Sequence, residues 1–184
     1  MWKRLLFASV LTGAVSAPLH GQSTAPAASP SAAASLPPLT CTPETDPSAP
    51  LTVKAADPCS IVYSVQRAGY RATILRDTVG DPKIQSAAAG SRFSILFYGC
   101  TDHKKCQSIE FTVGYITKTK PTVEKINEWN RSKRFGKAYI DDEKDPHIDY
   151  DIVLGDEGFP HETFSAGLER WTTVMAEFQS FVGW

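Results

Sequence analysis

The side chains with the plainest chemical potential in this 184-residue chain are four cysteines, Cys41, Cys59, Cys100 and Cys106. Thiols can hold a metal, exchange as a redox pair or close disulfides, and their spacing separates these uses. Cys100, His103 and Cys106 offer a metal at most three local ligands at atypical spacing, and no Cys-x-x-Cys pair occurs. Two disulfides fit better. Three pairings are open in principle, and Cys100 with Cys106 and Cys41 with Cys59 is favoured. Cys100 and Cys106 bracket a turn, Thr101 to Lys105, between two expected antiparallel strands whose ends approach within disulfide reach. The other bond then ties an irregular segment to the first turn of a helix. Closing that loop stabilises by roughly 3 kcal/mol on a chain-entropy model.

Catalytic constellations are scarce. The chain has no Gly-x-Ser-x-Gly elbow, no His-Glu-x-x-His and no Gly-rich phosphate loop. His20, His103, His147 and His161 fall in the leader or near element ends and read as solvated loop residues. No catalytic residue, metal ligand or cofactor is therefore expected. A remaining cluster is Asn127, Trp129, Asn130, Arg131 and Arg134. On a helix, Asn127 and Asn130 share a face, as do Asn130 and Arg134. Such a group locks a helix onto a sheet through backbone hydrogen bonds, the favoured role, or presents a polar, aromatic recognition patch.

Charge is uneven around that cluster. Lys118 to Lys137 holds seven basic and two acidic residues, whereas Asp141 to Glu157 holds eight acidic residues and Lys144. The acidic run lacks the glycine and ligand spacing of a calcium loop, and reads as a solvated turn. The basic segment is read as the exposed side of a short helix, with a protein- or anion-binding face as the alternative.

The elements that position these residues begin after a leader. Lys3 and Arg4 precede a thirteen-residue apolar stretch, Leu5 to Ala17, which suits a signal peptide and is too short to span a bilayer. Residues 1–21 are read as that signal, with the cut between 16 and 21 left open. Residues 22–56, rich in Pro, Ala and Ser, are read as a flexible tether. Residues 57–184 form the folded body. The whole chain carries net charge −1, with 42% apolar and 21% charged residues, as expected of a globular domain. Without Lys3 and Arg4 the balance is 17 basic against 20 acidic residues, or −3. This disfavours nucleic-acid binding by bulk positive charge, and no transmembrane segment is expected after signal removal.

Asp57-Pro58 starts a helix that Gly69 ends. The period then changes to two through strands Tyr70–Arg76 and Pro82–Ala88, a third after Gly90-Ser91, and a fourth in which Ile109, Phe111, Val113 and Tyr115 share a face. Pro121-Thr122 opens a second helix. Strands Phe135–Asp141 and His147–Leu154 follow. A last helix, Pro160–Val182, carries Phe164, Leu168, Trp171, Met175, Phe178 and Val182 as one stripe, assigned to sheet packing over a coiled-coil seam. The expected class is α+β, an antiparallel sheet with helices packed on it in the order α-β-β-β-β-α-β-β-α.

Several segments of the body, taken in order, resemble the YbjN family: Ala68-Gly69-Tyr70, Asp81-Pro82-Lys83-Ile84 and Phe97-Tyr98-Gly99-Cys100. Ile126-Asn127-Glu128-Trp129-Asn130, Arg134-Phe135-Gly136-Lys137-Ala138-Tyr139 and Leu168-Glu169-Arg170-Trp171 complete the resemblance. It spans about residues 57–182 and implies a fold similar to type III secretion chaperones. The family is described in general terms as sensory-transduction regulators without an agreed reaction. The expectation is thus an exported, periplasmic or secreted, non-enzymatic protein-binding domain of chaperone-like or regulatory type. Its partner would be another protein, and homodimerisation is left open by chaperone-like relatives. The alternatives are an envelope hydrolase with a site hidden in sequence, and a structural envelope component.

Overall fold

A computed structural model describes residues 36–184. Residues 1–21, read above as a signal peptide, and residues 22–35 of the expected tether lie outside them. The elements are β1 (Thr52–Val53), α1 (Pro58–Arg67), β2 (Thr73–Arg76), β3 (Pro82–Ala88), β4 (Ser91–Tyr98) and β5 (Ser108–Gly114), then α2 (Val123–Ser132), β6 (Lys137–Ile140), β7 (Pro146–Val153), β8 (Phe159–Pro160) and α3 (His161–Val182). The fold is α+β. Six antiparallel strands form one sheet in the order β2-β3-β4-β5-β7-β6.

Local chemistry accounts for the helix boundaries. Asp57 accepts a hydrogen bond from the Cys59 amide at 3.2 Å ahead of Pro58, and Thr122 accepts from the Lys125 amide at 3.3 Å. Gly183, in the left-handed region, ends α3.

One sheet face is the core. Phe93, Ile95 and Phe97 of β4 and Ile109, Phe111 and Val113 of β5 are buried there. All six residues of the α3 stripe are buried as well. Phe111 lies 5.7 Å from Trp171 and 6.0 Å from Phe164, ring centre to ring centre, so α3 covers the centre of the sheet. The stripe is consumed by this packing and leaves no coiled-coil seam.

Two features differ from the sequence expectation. Residues 36–56, expected from composition to be flexible, belong to the compact unit, which begins at Leu36. Residues 36–56 lie against α1 and β2: Arg67 pairs with Glu44, the Tyr63 hydroxyl donates to the Thr42 carbonyl at 2.7 Å, and Arg76 donates to Pro37 O at 2.8 Å. A Pro-rich segment has few internal hydrogen bonds to offer, so its carbonyls are satisfied by side chains of the body. The second feature is a two-stranded sheet of β1 and β8, with Val53 opposite Phe159. Strands this short leave no periodicity to read. The contact depends on Gly158, where a Cβ would stand 2.4 Å from the Val53 carbonyl oxygen.

Candidate functional site

The cysteines lie at the two ends of this architecture. Cys41 and Cys59 are bonded, with Cα atoms 5.6 Å apart, and fasten the 36–56 segment to the first turn of α1. Cys100 and Cys106 are bonded across the β4–β5 connection. Among the described residues no cysteine is free and no cluster of His, Cys, Asp and Glu is arranged to hold a metal.

The five residues of the α2 cluster divide. Trp129 is fully buried and its Nε1 donates to Gly136 O at 3.1 Å. Asn130 holds the first turn of β6 from both sides: its Nδ2 donates to Ala138 O at 3.0 Å and its Oδ1 accepts from the Ala138 amide at 2.9 Å. Asn127, Asn130, Arg131 and Arg134 are exposed, and Trp129 alone of the five is buried. Trp129 and Asn130 therefore lock α2 to β6, and the five do not form one surface patch.

The histidines are less solvated than their loop positions suggested. His103 Nδ1 is 2.8 Å from Asp81, and His147 Nε2 is 3.0 Å from Asp141. The His147 ring also stacks on Tyr139 at 5.1 Å and occupies the space a Cβ on Gly114 would need, 2.3 Å away. Side chains brought alongside by the sheet register, invisible in a linear reading, supply these partners. Asp141 is partly buried, yet the Asp145 amide and His147 outweigh that effect and hold its carboxyl below the usual range. His161 Nδ1 meets Ser64 Oγ at 2.7 Å, the contact closest in type to a nucleophile and its base. Ser64 is fully buried, so no substrate reaches it.

The concentration of unusual chemistry is on the sheet face turned away from the helices. Register places Glu110 of β5 beside Asp151 of β7, and Thr112 beside Asp149, which in turn faces Lys137 of β6. Tyr98 of β4 reaches over to donate to Glu110 at 3.0 Å. Asp149 accepts from Thr112 Oγ1 at 2.7 Å, and Lys137 Nζ stands 3.6 Å from Asp149 and 4.0 Å from Asp151. Asp149 is only 4% exposed although it lies on an uncovered face, because these neighbours surround it. Lys137 thus pairs with two of the three carboxylates, and Glu110 has no ion-pair partner among the described residues. Burial first, and then the charge of Asp149, pushes the Glu110 carboxyl up to about 6. The Tyr98 hydroxyl is pushed up as well, by burial and by the Glu110 charge. The sequence signal for this cluster was the polar side of β5. Which acidic strand lies next to it depended on pairings that the linear order does not contain.

The pH consequence has a definite sign. Glu110 titrates at about 6 in the folded chain against an ordinary 4.5, so its stabilising contribution is complete below 4.5 and is lost as pH rises through 6. Glu110→Gln is expected to stabilise the protein by about 1 kcal/mol at pH 7.5, after allowance for solvent screening of a half-exposed group, and to have no effect at pH 4. Urea unfolding of both proteins at the two pH values checks this. Equal differences at both would show that Glu110 is not under carboxylate repulsion.

The arrangement can bind cationic or hydrogen-bonding groups and take up a proton in mildly acidic medium. No helix of the described residues is long and apolar enough to cross a membrane. No curated protein and no solved structure matches the chain. Residues 61–184, from α1 through the C-terminal turn, match the family YbjN, described as "Putative bacterial sensory transduction regulator". That match takes in the whole six-stranded sheet, the carboxylate face and α3, and on it the chain belongs to the YbjN family.

Proposed function

We propose that this chain is an exported regulatory domain that acts by binding another protein and not by catalysis. The observation carrying the reading is the one-sided sheet: helices cover one face, while the other displays a connected polar and charged surface with Asp149 at its centre. Such a surface suits a polar protein contact. Family membership supports a regulatory role. The two disulfides support export, since bonds of this kind persist in oxidising compartments. The helix-backed antiparallel sheet is also compatible with the chaperone-like form that the family resemblance implies, and a chaperone-like role is included in the proposal.

The test is crosslinking and pull-down of the tagged mature chain from its own cell envelope. A stoichiometric protein partner is expected, retained at neutral pH and altered in yield near pH 5, where Glu110 is protonated. Failure to recover any stoichiometric partner, crosslinked or not, would overturn the reading. Recovery of wall or outer membrane in its place would favour a structural envelope component.

A further inference from the structure

Strand β7 is only half covered along its outer edge. Its first half, Pro146 to Asp149, pairs with β6, but β6 begins at Lys137 opposite Asp149. From Tyr150 to Val153 the strand is paired with β5 alone. The chain before β6 does not continue along that edge: it turns away at Gly136, whose φ is +81°. An edge of unpaired backbone donors and acceptors is a template for one more strand. Val153, at its far end, is 74% exposed.

On the helix side of this edge lies a groove of about 490 Å³. Phe135, Tyr150, Asp151, Ile152 and Phe159 line it together with Gly167 and Arg170 of α3. Gly167 sits inside a 22-residue helix, where glycine costs about 1 kcal/mol relative to alanine. Packing does not demand it, because a Cβ there would meet only Ile152 Cδ1, at an ordinary 3.5 Å. The residue keeps the groove open at a cost in helix stability.

The carboxylate of Asp151 is 4.0 Å from Lys137 Nζ, while two arginines at the groove have no such partner. The guanidinium carbons of Arg134 and Arg170 each lie 5.3 Å from the centre of the Phe135 ring. Among the described residues neither has an ion-pair partner. Both guanidiniums are thus free to meet an anion beside the ring.

We infer that the free half of β7 and the groove beside it take an extended, acidic segment of a partner protein by strand addition. Its backbone pairs with Tyr150–Val153. An apolar side chain enters the groove between Phe135 and Phe159, and a carboxylate two residues along, on the same side of the added strand, meets Arg134 and Arg170. This rests on the protein-binding reading and adds to the open polar face a second surface, on the helix side of β7, with its partner's chemistry.

A random seven-residue peptide library displayed on phage, selected on the full mature chain, tests the inference. Enriched peptides are expected to carry an apolar residue and an acidic residue two positions apart. The tightest, made synthetically, is expected to slow amide exchange at Tyr150–Val153. Its affinity should fall at least tenfold for the exposed double variant Arg134→Glu/Arg170→Glu. Gly167→Leu, which fills the groove, should lose binding too, while Gly167→Ala should raise Tm and weaken binding less. No enrichment, undiminished binding to both groove variants, or protection at Tyr150–Val153 only through self-association would each overturn the inference. If the envelope pull-down still recovers a partner with the groove variants, the inference fails and the protein-binding reading stands; if wild type recovers none, that reading fails.

Discussion

Trp129→Ala should lower the stability of the domain by about 3–5 kcal/mol, the range for truncating a fully buried tryptophan. The indole is the pin between α2 and the C-terminal end of α3. Its ring lies edge-on to Phe178 at 5.0 Å and tilted to Phe181 at 5.3 Å, and its Nε1 donates to Gly136 O. Removing it opens a large cavity, strands the Gly136 carbonyl and loosens the turn from which Asn130 holds β6. Trp129→Phe separates these contributions. It keeps an aromatic ring in the cavity but not the donor, so its cost should be nearer 1–3 kcal/mol. Urea unfolding gives both numbers as midpoint shifts. A loss below about 1 kcal/mol for Trp129→Ala would show that the α2 cluster is not the anchor described here.

Cys41→Ser/Cys59→Ser is expected to cost about 3 kcal/mol, because the bond spans a sequence separation of 18 and removes that closure entropy from the unfolded chain. For a domain of this size the change corresponds to a fall in Tm of roughly 6–12 °C. The loss should be regional as well as global. Residues 36–56 are also held by Arg67, which bonds Glu44 through two nitrogens and the Ala49 and Asp46 carbonyls, and by the Tyr63 and Arg76 hydrogen bonds, but these side-chain contacts depend on the anchored end for their geometry. Amide exchange in this segment should therefore speed up more than exchange in β4 and β5. An unchanged Tm, or free thiols on the non-reduced wild-type chain, would contradict the account.

Much of the fold was legible because it is written in local periodicity. Ile109, Phe111 and Val113 alternate, the α3 apolar residues recur at steps of three and four, and Asp57-Pro58 carries its own cap; each pattern is complete within one element. Trp129 and Asn130 were legible as a group, though only the structure divides them into anchors and leaves Asn127, Arg131 and Arg134 at the surface. The two-residue strands β1 and β8 were not legible, and the docking of residues 36–56 was legible only through the Cys41–Cys59 pairing. Their stability comes from distant partners, not from any repeat of their own.

The opposite charges of the 118–137 and 141–157 segments show the same divide. In sequence they are two separate blocks. In the structure Lys120 pairs with Asp145 and Lys137 lies against Asp149 and Asp151, so part of the segregation cancels. What remains is specific: Arg134 and Arg170 at Phe135, and three carboxylates of which a single lysine pairs with two.

By itself the sequence determined the composition of each element, the apolar faces that must be buried and the cysteines available for bonding, because these depend on neighbours within a few residues. The tertiary structure alone decided that Glu110, Asp149 and Asp151 share one open face and that β6 stops short of Tyr150. Cross-strand adjacency joins residues tens of positions apart, and it is set by how whole strands pack over α3, which no local pattern encodes.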